Sequence, residues 1–309
     1  MTLLYYDPSF LDHETGQHPE CAERLRRVIG HLDAEPSVAG WTRPAWESAT
    51  DQQLMQVHHP ESLAMLKGLA DQGGGRADPD TVVSPSSVDV ARLAAGALCD
   101  AVHRVVEGGE SRAFCLVRPP GHHALAERAM GFCLFNNVAV AAHQALTLGL
   151  ERILIVDWDV HHGNGTQAIF YDDPRVGFFS CHRWPFYPGT GDSDETGTGD
   201  GLGSTRNVPV KFGTSRQEYR ARMESELQNF AAGVRPQLVL ISAGFDGHRQ
   251  DPVGSLGLEV EDFVWQTQAV QQIADTYADG RIVSALEGGY NPPILAECVA
   301  AHLHELQAG

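Results

Sequence analysis

The apolar run Ile153-Leu154-Ile155-Val156 breaks off into Asp157-Trp-Asp-Val-His-His-Gly-Asn-Gly165, and this junction constrains the fold more than any other stretch. A run of branched apolar residues marks a strand covered on both faces, as in a parallel sheet between helices. Asp157, Asp159 and His161 alternate, so in extended backbone their side chains share one side. Carboxylate oxygens with an imidazole nitrogen suit zinc or a similar divalent ion. Two carboxylates at that spacing repel unless a cation or hydrogen-bond donors lie between them. A hydrogen-bonded polar loop closing the strand is the alternative reading of the same residues.

The rest of the chain repeats this strand–loop–helix rhythm. Strands are predicted over 3–6, 113–117, 152–157, 176–181, 207–211, 238–242 and 281–285. Helices are predicted over 19–32, 60–69, 136–148, 166–171, 217–230, 260–277 and 294–306. A longer one runs from a Ser86 cap, with Asp89 as its capping-box partner, to Gly108-Gly109. Gly73-Gly74-Gly75 reads as a loop. The pattern implies an α/β fold over residues 1–309 as one domain, its parallel sheet flanked by helices. Sites in such sheets lie beyond the carboxyl ends of the strands. Four strands end in unusual turns there, carrying His122-His123, Asp157 to His161, Asp246, and Tyr290.

Charge and composition narrow the partners. Lys and Arg total 22 against 40 acids, for a formal charge of −18, which argues against a nucleic-acid partner and tolerates a cationic substrate. No apolar run reaches the roughly 18 residues of a membrane helix. The opening Met1-Thr-Leu-Leu-Tyr-Tyr-Asp7 lacks a basic leader and reads as a first strand. The 6 cysteines are scattered without a Cys-x-x-Cys pair, as expected of reduced thiols in a cytoplasmic protein. Homo-oligomerisation is left open.

Asp159, His161 and Asp246 together would supply three ligands and leave a position for water, the pattern of a catalytic and not a structural zinc site. His122 and His123 follow the rigid Pro119-Pro120-Gly121 turn and could serve as base and acid; a pair of surface histidines is the alternative. Asp157 and Asn164 are candidates to fix the histidine tautomers. The Tyr290 phenol could donate to an oxyanion forming on a carbonyl, or be a half-buried core aromatic.

The chain resembles the zinc-dependent histone deacetylase family and its acetylpolyamine amidohydrolase and bacterial deacetylase-like relatives. The matching motifs are Arg118-Pro-Pro-Gly-His-His-Ala124, Gly131-Phe-Cys-Leu-Phe-Asn-Asn137, Asp157-Trp-Asp-Val-His-His-Gly-Asn-Gly-Thr-Gln167, Tyr187-Pro-Gly-Thr-Gly191, Ser242-Ala-Gly-Phe-Asp246 and Leu286-Glu-Gly-Gly-Tyr290, in the family's order. The resemblance implies a three-layer arginase/deacetylase fold with a central, mainly parallel eight-stranded sheet. It implies one catalytic zinc ion on Asp159, His161 and Asp246, with His123 as general base, His122 as its partner and Tyr290 polarising the acyl carbonyl. It also implies one or two structural potassium ions. The first would be held around Asp157, Asp159, His161, Ser180 and Cys181, the second by backbone oxygens near Phe170, Asp173 and Val176. Gly131, Phe132 and Tyr187 would line a narrow tunnel for the acyl-lysine chain.

Asn164 and Glu287 depart from the family's class I branch toward its class II-like branch, and Tyr187 stands where many relatives carry Phe. Val253 occupies the position where polyamine-selective relatives place an acidic gatekeeper, which tilts the expected substrate from an acetylated polyamine or other small amine to an acyl-lysine in a protein or peptide. The rivals are an arginase-like dinuclear manganese hydrolase, which needs further bridging carboxylates, and an acyl-group binding module without turnover.

Overall fold

The computed structural model describes residues 2–35 and 41–308. In chain order the strands are β1 (Thr2–Tyr5), β2 (Gly75–Asp78), β3 (Thr81–Val83), β4 (Arg112–Cys115), β5 (Ile153–Asp157), β6 (Val176–Arg183), β7 (Thr205–Val210), β8 (Leu238–Ala243) and β9 (Ile282–Leu286). The α-helices are α1 (Glu23–Asp33), α2 (Asp51–Leu54), α3 (Pro60–Asp71), α4 (Ser87–Glu107), α5 (Asn137–Thr147), α6 (Asn164–Ile169), α7 (Arg216–Val234), α8 (Val260–Tyr277) and α9 (Pro292–Ala308).

Seven strands form one sheet in the order β1-β4-β9-β8-β5-β6-β7, and all neighbouring pairs are parallel. Every residue of β1, β4, β5, β8 and β9 is buried. Burial on both faces demands a helical layer on each side, which is why these strands are mostly apolar, with Arg112, Ser242 and Ser284 among the exceptions. Helices α4 and α5 pack together over one face; α7, α8, α9 and α1 form a chain of neighbours over the other. Among the described residues no helix is long and apolar enough to cross a membrane.

The sheet has seven strands among the described residues, not the expected eight. At the free edge of β1 a single parallel bridge pairs Leu3 with Thr42, and Leu4 donates to the Thr42 carbonyl at 2.9 Å. Pro44 follows two residues later and lacks the N–H that would continue a ladder. The glycine loop also differs from expectation: Gly75 opens β2, which pairs antiparallel with β3 in a small separate hairpin.

Two helix starts differ as well. Ser86 is already in the helical region (φ −89°, ψ −9°), so its hydroxyl makes no cap. The next hydroxyl, Ser87, instead accepts from Ser84 N at 2.7 Å and pairs with His13 Nδ1 at 2.7 Å. Helix α1 begins at Glu23, four residues after Pro19, because Glu20 is used otherwise. Its carbonyl accepts the Thr15 hydroxyl at 2.6 Å, and its buried carboxylate turns inward.

There Glu20 binds two buried arginines. Arg118 Nε and Nη2 donate to it at 2.5 and 2.8 Å, and Arg24 Nη1 at 3.3 Å. Burial alone would raise this carboxyl, but Arg118 beside it holds it at about 2. The folded value lies below the ordinary one, so the stabilisation is complete above pH ~4.5 and is lost as the pH falls toward 2. The gap corresponds to about 3 kcal/mol. Glu20→Gln is therefore expected to lower the unfolding free energy at pH 7 by about 3–5 kcal/mol, since it leaves two buried guanidinium groups uncompensated. Urea unfolding at stepped pH should show the two proteins converging between pH ~4.5 and ~2. A constant difference across that window would contradict the assignment.

Candidate active and metal site

Strands β4, β9, β8 and β5 are consecutive in the sheet, so the four turns at their carboxyl ends open onto one edge. Asp157, at the end of β5, lies in register with Ser180 of β6 and Ser242 of β8. Beyond it the chain leaves the sheet, and each acid is clamped by backbone. Asp157 Oδ1 accepts Asp159 N at 3.1 Å, Asp159 Oδ1 accepts His161 N at 2.9 Å, and Asp246 Oδ1 accepts Val160 N at 2.9 Å.

These clamps bring Asp159, His161 and Asp246 together, each offering a ligand atom within 4.8 Å of the others. His161 Nδ1 lies 2.9 Å from Asp159 Oδ1 and 3.1 Å from Asp246 Oδ2. One ring nitrogen carries at most one proton, and it is aligned with Asp159; Asp246 Oδ2 is buried with no hydrogen-bond partner. An orphaned carboxylate oxygen in a two-oxygen, one-nitrogen cluster fits a divalent cation of the zinc type. The electrostatics agree. Asp246 is pushed up to about 7 by burial and by Asp159, while burial of Asp159 is outweighed by His122 and His161, which lower its carboxyl. His161 is raised to about 9 against its burial, by its hydrogen bond to Asp159 and by the charge of Asp246 beside it. The cluster thus gathers positive charge between its acids.

Glycine lets the backbone crowd this cluster. A Cβ on Gly288 would stand 2.2 Å from Asp246 Oδ2 and 2.5 Å from Asp159 Oδ2. Gly288 N instead donates to Asp159 Oδ2 at 2.8 Å.

The two histidines lie beside the trio, with ring centroids 4.0 Å apart. Their surroundings split them. His122 Nδ1 meets Asp157 Oδ2 at 2.9 Å, and its Nε2 lies 3.9 Å from Asp159 Oδ1. Burial opposes its charge, but Asp157 and Asp159 raise it to about 10. His123 Nδ1 meets the Asn164 carbonyl oxygen at 2.7 Å, so Nδ1 carries the proton and Nε2 keeps its lone pair. Burial, then His122 and His161, push His123 well below the usual histidine range. These surroundings favour a charged His122 beside a neutral His123, and the two Nδ1 atoms meet Asp157 and Asn164, the candidates named from the sequence.

A cavity of about 180 Å³ reaches His123 and His161, lined besides by Asp80, Gly131, Phe132, Phe186, Tyr187, Val253 and Tyr290. Gly131, Phe132 and Tyr187 are in it, together with Val253 of the gatekeeper position. The His123 ring packs so close to Gly131 that a Cβ there would come within 2.4 Å of Cδ2. Phe132 meets the Tyr290 ring edge-on at 5.7 Å, and Phe186 stacks on His161 at 5.1 Å.

A model of the histone deacetylase domain matches residues 18–306 of this chain. The chain belongs to the histone deacetylase family. It is 38% identical over 291 residues to a histone deacetylase-like amidohydrolase of Pseudomonas aeruginosa, covering 94% of this chain and 77% of that one. It is also 38% identical over 323 residues to the polyamine deacetylase HDAC10 of Homo sapiens, covering 98% of this chain and 47% of that one. The solved HDA15 HD domain superposes with a TM-score of 0.94 at 36% identity, covering 99% of this chain and 88% of that one. The arginase/deacetylase fold is thereby shown, and with it a deacetylase-family amidohydrolase, a family that is generally metal-dependent.

The residues expected around potassium lie where ladder register and turns put them. Ser180 neighbours Asp157 across β5 and β6, its hydroxyl 2.9 Å from His182 Nδ1. Cys181 is buried beside it in β6. Phe170 and Asp173 accept backbone hydrogen bonds from Asp173 and Val176 in the turn before β6. Three residues of the site escaped the sequence reading. Phe186 precedes Tyr187 in a recognised motif and could have been caught. Asp80 sits between β2 and β3, a hairpin with no periodic signal. Asp251 Oδ2 accepts Tyr290 N at 2.6 Å and Oδ1 accepts Val253 N at 2.9 Å, tying the phenol's backbone to the cavity wall.

Proposed function

We propose that this amidohydrolase removes acyl groups, acetyl first among them, from the side-chain amine of lysine, with zinc at Asp159, His161 and Asp246. The observation that carries the reading is that the trio meets an aromatic-lined cavity through His161, beside His123 with a free Nε2. Phe132, Phe186 and Tyr187 offer apolar walls that suit an alkyl chain. Zinc there would polarise the amide carbonyl and lower the pKa of an adjacent water from about 15.7 toward about 7.

The chain's own residues do the rest. His123 Nε2 takes the proton of the attacking water, because Asn164 holds its other nitrogen as donor. Charged His122, fixed by Asp157, opposes the negative charge that builds on the acyl carbon's oxygens. Tyr290, lining the cavity, donates its phenol hydrogen to the carbonyl oxygen. The proton held by His123 then passes to the leaving amine. Potassium around Asp157, Ser180 and Cys181, and near Phe170, Asp173 and Val176, belongs to the same proposal as a structural ion.

A small acetylated amine is the second reading, favoured by the Asp80 carboxylate in the cavity lining. Val253, apolar and facing the same cavity, favours acyl-lysine. A panel of acetyl-lysine peptide, longer acyl-lysines and acetylspermidine tests this. The wild type is expected to prefer the peptide in kcat/KM, and Val253→Glu to move the ratio toward acetylspermidine by about tenfold. A wild type that hydrolyses acetylspermidine and leaves every acyl-lysine intact would reverse the assignment.

A further inference from the structure

We propose that Glu287 is a positioning residue that sets the histidine pair through the backbone of Gly121 and His122. The inference rests on the hydrolytic reading above. The turn carrying His122 is held on three sides. Its ring meets Asp157, and its carbonyl accepts Gly165 N and Thr166 N at 3.1 and 3.2 Å from the start of α6. The third side is the N–H side, and there the acceptor is a side chain. Glu287 Oε2 accepts Gly121 N at 2.6 Å and His122 N at 3.2 Å, and Oε1 accepts the Ser242 hydroxyl at 3.2 Å.

Glu287 reaches this turn from the segment that also carries Tyr290. Its own carbonyl is fixed by Arg24 Nη2 at 2.5 Å, and the next residue, Gly288, donates to Asp159. One fully buried side chain therefore links the segment bearing the phenol to the turn bearing the imidazoles. Buried N–H groups without an acceptor are costly, so removing the carboxyl forces the turn to shift and carries the His122 and His123 rings with it. The two N–H groups need an oxygen more than a charge. Burial pushes this carboxyl up to about 7, so its neutral form is accessible in the fold.

Glu287→Leu keeps the approximate volume and removes the acceptor. Glu287→Gln keeps an oxygen for the two N–H groups and can turn its amide toward Ser242. The leucine variant is expected to lose about 10- to 100-fold in kcat on the acetyl-lysine peptide, with KM little changed because Glu287 does not line the cavity. The glutamine variant is expected to restore most of that loss. Ring ¹⁵N signals of His122 and His123 should move in the leucine variant and return in the glutamine one. If the leucine chain does not fold, Glu287→Gly takes its place, with the same expectations. A wild-type kcat and unmoved histidine signals without the carboxyl would overturn the proposal. So would a glutamine variant as slow as leucine, which would assign the role to charge. A wild type without turnover on the panel would sink the hydrolytic reading, whereas the ¹⁵N signals still report on the turn.

Discussion

His123→Ala is expected to lower kcat on an acetyl-lysine peptide by about 10²–10⁴-fold, the range for loss of a positioned general base. The variant keeps the trio intact, so bound metal per chain should be unchanged by elemental analysis. Two features favour His123 over its neighbour as the proposed base. Its Nδ1 is committed to the Asn164 oxygen, which leaves Nε2 unprotonated, and its surroundings disfavour a second charge beside His122. Asp157 and Asp159 beside His122 raise it above the usual histidine range against its burial, which favours its protonated form and disfavours it as a proton acceptor. His123→Ala with turnover within a few fold of wild type would remove His123 from the chemistry.

Asp246→Ala is expected to abolish measurable turnover by breaking the cation site. One protein ligand of three is lost, and Asp246 Oδ2 is the oxygen for which the fold provides no hydrogen bond. Wild-type protein is expected to bind one zinc per chain, to lose activity to a chelator and to regain it with added zinc. The variant should bind zinc at least about 100-fold more weakly by competition titration, a larger effect than changing an outer partner of a ligand. Binding should also weaken as the pH falls, because Asp246, held at about 7 without a cation, must give up its proton to bind one. Two manganese ions per chain would favour the dinuclear rival. Among the described residues only one cluster of three ligands is found, which does not support a second ion.

The fold class was legible because strands covered on both faces announce themselves. In β5 and β8, every residue from Ile153 to Val156 and from Leu238 to Ile241 is apolar, and each is 0% exposed. Helix α8 was legible to the residue, Val260–Tyr277, because Val260, Phe263, Val270, Ile273, Ala274 and Tyr277 recur at helical spacing. Boundaries failed where a side chain was drawn into tertiary work. Glu20 looked like the first turn of a helix and is the partner of Arg118, 98 positions away. Ser86 looked like a cap and is already helical.

The same division runs through the site. Asp157, Asp159 and His161 share a short stretch, so sequence alone placed them near one another. The expected extended backbone ends at Asp157, and the bend over 159–161 is what the fold adds. Asp246, Tyr290 and the histidine pair were recognisable by motif, but their meeting depends on the order β4-β9-β8-β5, which brings positions 122 and 287 to one edge. Glu287 shows the limit most plainly. By its letters it is one acid in a glycine-rich turn; only the folded chain puts its oxygen against Gly121 N and His122 N. Periodicity and residue chemistry act within a few positions, whereas the protonation and orientation of the histidines depend on charges and donors that strand order brings from distant parts of the chain.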